Sequence, residues 1–120
     1  MRCIYIRMST QVIINRGKDI IRVNDIKQLN NLYQQLGNIT ENDYQLSGPY
    51  IYQQLFTYAC QYGSEDMIIW FIQMYYEAFS DMERIALRQM FIHGKYVAHR
   101  NRCINNKWYN QCIMPLIRVY

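Results

Sequence analysis

From residue 49 to residue 92 apolar positions return every three or four residues, with polar positions between them. Leu55, Phe56, Ala59 and Cys60 fall on one helical face, and Met67, Ile68, Phe71 and Ile72 fall on another. Gly63 stands between the two runs, where the chain must reverse. The pattern predicts two antiparallel helices, about 49–62 and 65–79, with a corner at Gly63. Pro49 suits the first turn of the first helix. Ser64 is the N-cap candidate of the second, and Glu65 and Asp66 lie where the helix dipole favours acids. Ser80 is the cap candidate of a third helix, about 81–92, with Asp81 and Glu83 in its first turn. Trp70, Phe71, Tyr75, Tyr76 and Phe79 form an aromatic band at helical spacing, read as packing surface.

The flanking segments are less regular. Residues 10–23 hold two short β-branched runs around Asn15-Arg16-Gly17-Lys18, which predicts a β-hairpin turning at Gly17. Asn24 or Asp25 can cap a helix carrying Ile26, Leu29, Leu32, Tyr33 and Leu36 on one face, ended by Gly37. Residues 38–49 read as loop. Gly94 breaks or weakens the third helix, and apolar positions thin over 95–105. A last apolar run, Trp108–Tyr120, is interrupted by Pro115.

Phe56-x-x-Ala59-Cys60-x-x-Gly63-x-x-x-Met67-Ile68-x-x-Phe71-Ile72 resembles the helix pair of an ankyrin repeat. In that pattern small residues let two helices stack closely, glycine closes the turn, and paired apolar positions cover the neighbouring unit. A second, less complete copy starts at Leu87, with Met90, Phe91 and Gly94 in register, 31 residues after Gly63. His99 and Arg102 then occupy positions that should be apolar, and both copies lack the Thr-Pro-Leu-His opening. The aromatic-, Ile- and Asn-rich style is similar to divergent ankyrin-type proteins of large DNA viruses. The resemblance implies a short stacked array, capped by the N-terminal hairpin and helix on one side and by Trp108–Tyr120 on the other. It implies protein recognition without catalysis or cofactor, in the cytoplasm of the host if the protein is viral.

A chain of 120 residues with 51% hydrophobic residues forms one domain and is too apolar to be disordered. No apolar run approaches the ~20 residues of a membrane helix, so no membrane partner is expected. Cys3, Cys60, Cys103 and Cys112 read as small buried hydrophobes of a reducing, intracellular compartment. The net charge of +4 hides a segregation. Residues 1–27 hold six Lys/Arg and two acids, residues 28–83 seven acids and no Lys/Arg, and residues 84–120 seven Lys/Arg and no acid. Three readings fit: neutralisation within the chain, self-association of acidic middle with basic tail, or an acidic partner on the C-terminal part.

Catalytic and metal signatures are missing. His93, His99, Cys103 and Cys112 match no common zinc spacing. Cys60 with His93 or His99 is the one conceivable nucleophile and base, yet Cys60 stands where a helix pair needs a small packing residue. The fold expected is mainly α, with antiparallel helix hairpins in a short ankyrin-like array and a small N-terminal β-hairpin. The function expected is non-enzymatic protein–protein recognition by residues flanking the turns: Tyr62, Ser64, His93, Lys95 and Tyr96. The alternative is a nucleic-acid-binding component of a larger assembly, using Arg100, Arg102, Lys107 and Trp108.

Overall fold

Helices occupy the described residues on both sides of the middle segment as well as within it. The computed structural model describes residues 10–37 and 48–117, and among them no strand occurs. The helices are α1 (Thr10–Arg22), α2 (Ile26–Gly37), α3 (Gly48–Tyr62), α4 (Glu65–Ala78), α5 (Asp81–Ala98) and α6 (Asn106–Trp108). A π-helical turn, Tyr109–Ile113, and a final turn, α7 (Met114–Ile117), continue α6. Most of the loop expected over 38–49, the last three residues of the final apolar run, and Cys3 lie outside the described residues.

The β-hairpin expected over 10–23 is instead α1. Ile13, Ile14, Gly17 and Ile21 are buried, while Val12, Asn15, Arg16, Asp19 and Arg22 are exposed. Adjacent buried residues such as Ile13 and Ile14 would point to opposite faces of a strand but share a helix face. Gly17 is no turn residue. A Cβ there would come within 2.6–2.7 Å of the Leu55 methyl groups, so the glycine lets α3 approach α1. The reversal lies later, at Asn24, whose φ of 56° is in the left-handed region that asparagine tolerates. Asp25 then caps α2, its Oδ1 accepting the Gln28 amide at 3.1 Å.

The corner at Gly63 is as the sequence predicts. Its amide donates to the Ala59 carbonyl at 2.7 Å, so close that a Cβ would strike the same oxygen. Ser64 caps α4 by accepting the Met67 amide at 3.3 Å. Ser80 and Glu83 form a full capping box at the start of α5. Gly94, expected to break or weaken the third helix, does not break it: it lies inside α5, which runs on to Ala98. It is buried between Phe56, Cys60 and Tyr109. The second helix pair therefore turns later, around residues 99–105.

α3 is the centre of the molecule, packed between α1 and α5. Gly17 meets Leu55 near the middle of α1 and Asn24 beyond its end meets Ser64 beyond the end of α3, while Phe56 meets Phe91 and Cys60 meets Gly94, so the three helices run in the same direction. The returning elements close the other side. Tyr33 of α2 contacts Trp70 of α4 edge-on at 5.1 Å, and the Tyr109 hydroxyl donates to the Phe91 carbonyl at 2.7 Å. Tyr52, Phe56, Phe71, Tyr75 and Phe91 make the aromatic core in mostly tilted or edge-to-face pairs, a geometry worth ~1 kcal/mol per pair beyond area burial. The Tyr52 hydroxyl is satisfied by the Phe71 carbonyl. The aromatic band of α4 is thus core, apart from the more exposed Tyr76.

The turns at one end of this layer are tied together. The Ser64 hydroxyl donates to Asn24 Oδ1 at 2.7 Å, linking the first corner to the second. The backbone amide of Asn105 donates to Glu65 Oε2 at 3.2 Å, linking the second to the third. Buried Asn101 adds a stronger link: its Nδ2 donates to the carbonyls of Cys60 at 2.9 Å and Gly63 at 3.0 Å, and its Oδ1 accepts the Cys103 amide at 2.8 Å. One side chain thereby satisfies carbonyls left open by the end of α3.

Candidate functional site: a tyrosine- and arginine-lined cleft

The C-terminal ends of α3 and α5 lie side by side because both helices run the same way. Between them opens a cleft of about 510 Å³, lined by Gln61, Tyr62, Tyr96, Val97 and Arg100. Tyr62 and Tyr96 are 58% and 67% exposed, unusually free for large aromatic side chains in a protein with so aromatic a core. Among the described residues Arg100 is the one charged residue of the lining, and it is exposed. Around the cleft, cations lie against rings. The Lys95 ammonium is 5.6 Å from the Tyr96 ring centroid, and the Lys18 ammonium is 5.3 Å from that of Tyr58. The Tyr58 and Tyr62 rings are 4.7 Å apart. A strip from α1 across α3 to α5 therefore combines aromatic rings with positive charge.

Of the residues expected to meet a partner, Tyr62 and Tyr96 share the cleft and Lys95 lies beside it. His93 is exposed on α5 but does not line it. Ser64 is occupied as the cap of α4 and by Asn24. The residues expected to contact nucleic acid separate. Arg100 joins the cleft, Arg102 and Lys107 are exposed elsewhere, and Trp108 packs against the core. The half-buried indole of Trp108 is poorly placed to stack on a base. Gln61, Val97, Tyr58 and Lys18 escaped the sequence reading. The four-residue step from Tyr58 to Tyr62 was a usable signal, whereas the pairing of α3 with α1 and α5 was not.

The cysteines divide. Cys60 is buried as expected, but Cys103 and Cys112 are exposed, one in the turn after α5 and the other in the π turn. Burial pushes the Cys60 thiol well above its ordinary value, only partly offset by its contact with the Tyr109 hydroxyl. At neutral pH it is a packed thiol and no thiolate nucleophile. His93 and His99 are exposed. Among the described residues no three of His, Cys, Asp and Glu converge as a metal site, and no helix is long and apolar enough to cross a membrane. Burial also raises the phenol pKa of Tyr52 and of Tyr109.

What the cleft offers, among the described residues, is a shallow recess with two phenol rings and their hydroxyls, one amide and one guanidinium. That set can grip a side chain or a short segment, and among the described residues its lining includes no Asp, Glu, His or Cys. Comparison with family models, with curated proteins and with solved structures finds no match to this chain.

Proposed function

We propose that this protein is a non-enzymatic recognition module that binds another protein at the cleft between α3 and α5. The carrying observation is the convergence of exposed Tyr62 and Tyr96 with Arg100 in one recess. Tyr and Arg are the residue types that dominate binding energy at protein interfaces, because each joins a large contact area to a polar end. The parallel arrangement of α1, α3 and α5 is compatible with an ankyrin-like stack of helix pairs. In that reading the protein is an adaptor, of the kind large DNA viruses direct at host or virion proteins, and acts in the cytoplasm. The competing reading, a nucleic-acid contact through Arg100, Arg102 and Lys107, has exposed cations in its favour and the packing of Trp108 against it.

The test is capture from lysate of the source cells by the immobilised chain, with and without nuclease, compared with a Tyr62→Ala/Tyr96→Ala variant. Both side chains are exposed, so the variant keeps its core and its far-UV circular dichroism. A protein retained after nuclease and lost with the double variant supports the reading. Capture that vanishes with nuclease, or that ignores the double variant, refutes it.

A further inference from the structure

The cleft stands at one end of a longer surface whose chemistry is uneven. α3 has no Asp, Glu, Lys or Arg along its 15 residues. On α5, Met82, Ile85, Gln89, His93 and Tyr96 are all exposed and recur at three- and four-residue steps, which sets them along one face. The outward face of a surface helix is ordinarily charged. This one begins with Met82, 80% exposed, and Ile85, 67% exposed, and ends at Tyr96 and the Arg100 guanidinium. Fourteen helical steps from Met82 to Tyr96 correspond to ~21 Å.

We infer that this face binds a protein segment that is acidic at one end and apolar at the other. A carboxylate of the segment enters the cleft against Arg100, and its apolar side chains cover Met82 and Ile85. The inference rests on the recognition reading and adds the chemistry of the partner. Among the described residues the cleft lining holds one cation and no acid, and a guanidinium pairs with a carboxylate through two parallel hydrogen bonds. The Lys95 ammonium beside Tyr96 adds to the positive potential. An extended chain of about six residues spans ~21 Å. A nucleic acid fits worse, because its phosphates recur along the whole strand and need cations throughout, whereas the row Met82, Ile85, Gln89, His93 and Tyr96 holds no lysine or arginine before Arg100.

The test uses fluorescently labelled peptides of about 16 residues and the full chain at low salt, read by anisotropy. One peptide carries Glu at one end and Leu at the other, the second replaces Glu by Gln, and an oligothymidylate of similar length is the third probe. The Glu peptide is expected to bind about tenfold tighter than the Gln peptide, a difference of ~1.4 kcal/mol. Arg100→Gln should shrink that ratio to below about threefold, and Ile85→Lys should weaken both peptides. Equal affinity for the two peptides, indifference to Arg100→Gln, or tighter binding of the oligothymidylate overturns the inference. Equal binding that the Tyr62→Ala/Tyr96→Ala variant abolishes overturns the acidic chemistry alone and leaves the recognition reading standing. Binding of neither peptide overturns the inference, and the capture experiment then judges the reading separately.

Discussion

Replacing Asn101 tests whether one buried amide holds the second and third corners of the molecule together. Its Nδ2 spends both hydrogens on the Cys60 and Gly63 carbonyls, and its Oδ1 takes the Cys103 amide. Asn101→Ala leaves the two carbonyls unpaired at the end of α3, while the Cys103 amide is only partly buried and can turn to water. An orphaned buried acceptor costs ~1 kcal/mol or more, so the variant should lose about 2–3 kcal/mol. For a domain of this size that is a fall of about 10 °C in Tm. Asn101→Asp is the sharper perturbation. It keeps the shape and the acceptor but turns an oxygen, charged at neutral pH, toward two carbonyl oxygens at the 2.9 and 3.0 Å the amide now spans. It should therefore be less stable than Asn101→Ala at pH 7 and recover in part when acidified, because a protonated carboxyl regains one donor. Urea denaturation of the three proteins at pH 7 and near pH 4 measures this. An aspartate variant as stable as the alanine variant at pH 7 would refute the hydrogen-bond account and leave only loss of volume.

Gly94→Ala should destabilise although alanine favours helices. The new methyl would lie 2.6 Å from a Phe56 ring carbon and 2.9 Å from both Cys60 Sγ and the Tyr109 hydroxyl. An overpacking cost of up to ~3 kcal/mol outweighs the ~1 kcal/mol gained in propensity, and an unchanged urea midpoint would contradict the close approach of α3 and α5. Stability should fall at alkaline pH. Tyr52 and Tyr109 have folded pKa values raised by burial above the ordinary 10.0, so their contribution is whole below pH 10. It is then lost at up to ~1.4 kcal/mol per pH unit for each phenol as the unfolded chain ionises. Tyr109→Phe should flatten this slope, and a slope unaltered by it would show that Tyr109 ionises freely. Ser80→Ala removes a capping box whose two hydrogen bonds lie at the surface, so about 1 kcal/mol of stability should be lost in urea denaturation with no change in cleft binding.

The parts of this fold legible in the sequence are those decided by neighbours in the chain. Gly63, Ser64 and Ser80 act on residues within four positions, so their corner and caps could be read directly. α1 could not be settled that way. Its isoleucine pairs suit either a strand or a helix, and the contact that decides it, Gly17 against Leu55, joins residues 38 positions apart. Gly94 is ambiguous for the same reason: as punctuation it predicts a break or a weak point, whereas its role is to admit Phe56, Cys60 and Tyr109. Asn101, between Arg100 and Arg102, carries no local mark of its role, because its carbonyl partners lie 38 and 41 residues upstream. The cleft was half visible. Tyr62 and Tyr96 were picked out by their place near turns, while Gln61, Val97 and Arg100 join them only through the parallel setting of α3 and α5.

The placement of Cys60 gives the molecule a built-in reporter of breathing. Its sulfur sits beside Gly94 where α3 and α5 touch, whereas Cys103 and Cys112 face solvent. In a chain with serine at positions 3, 103 and 112, a thiol reagent can modify Cys60 only in the moments when the two helices part. Its labelling rate then measures how often that seam opens, and a ligand bridging the seam from the outer side would slow the reaction without touching the sulfur.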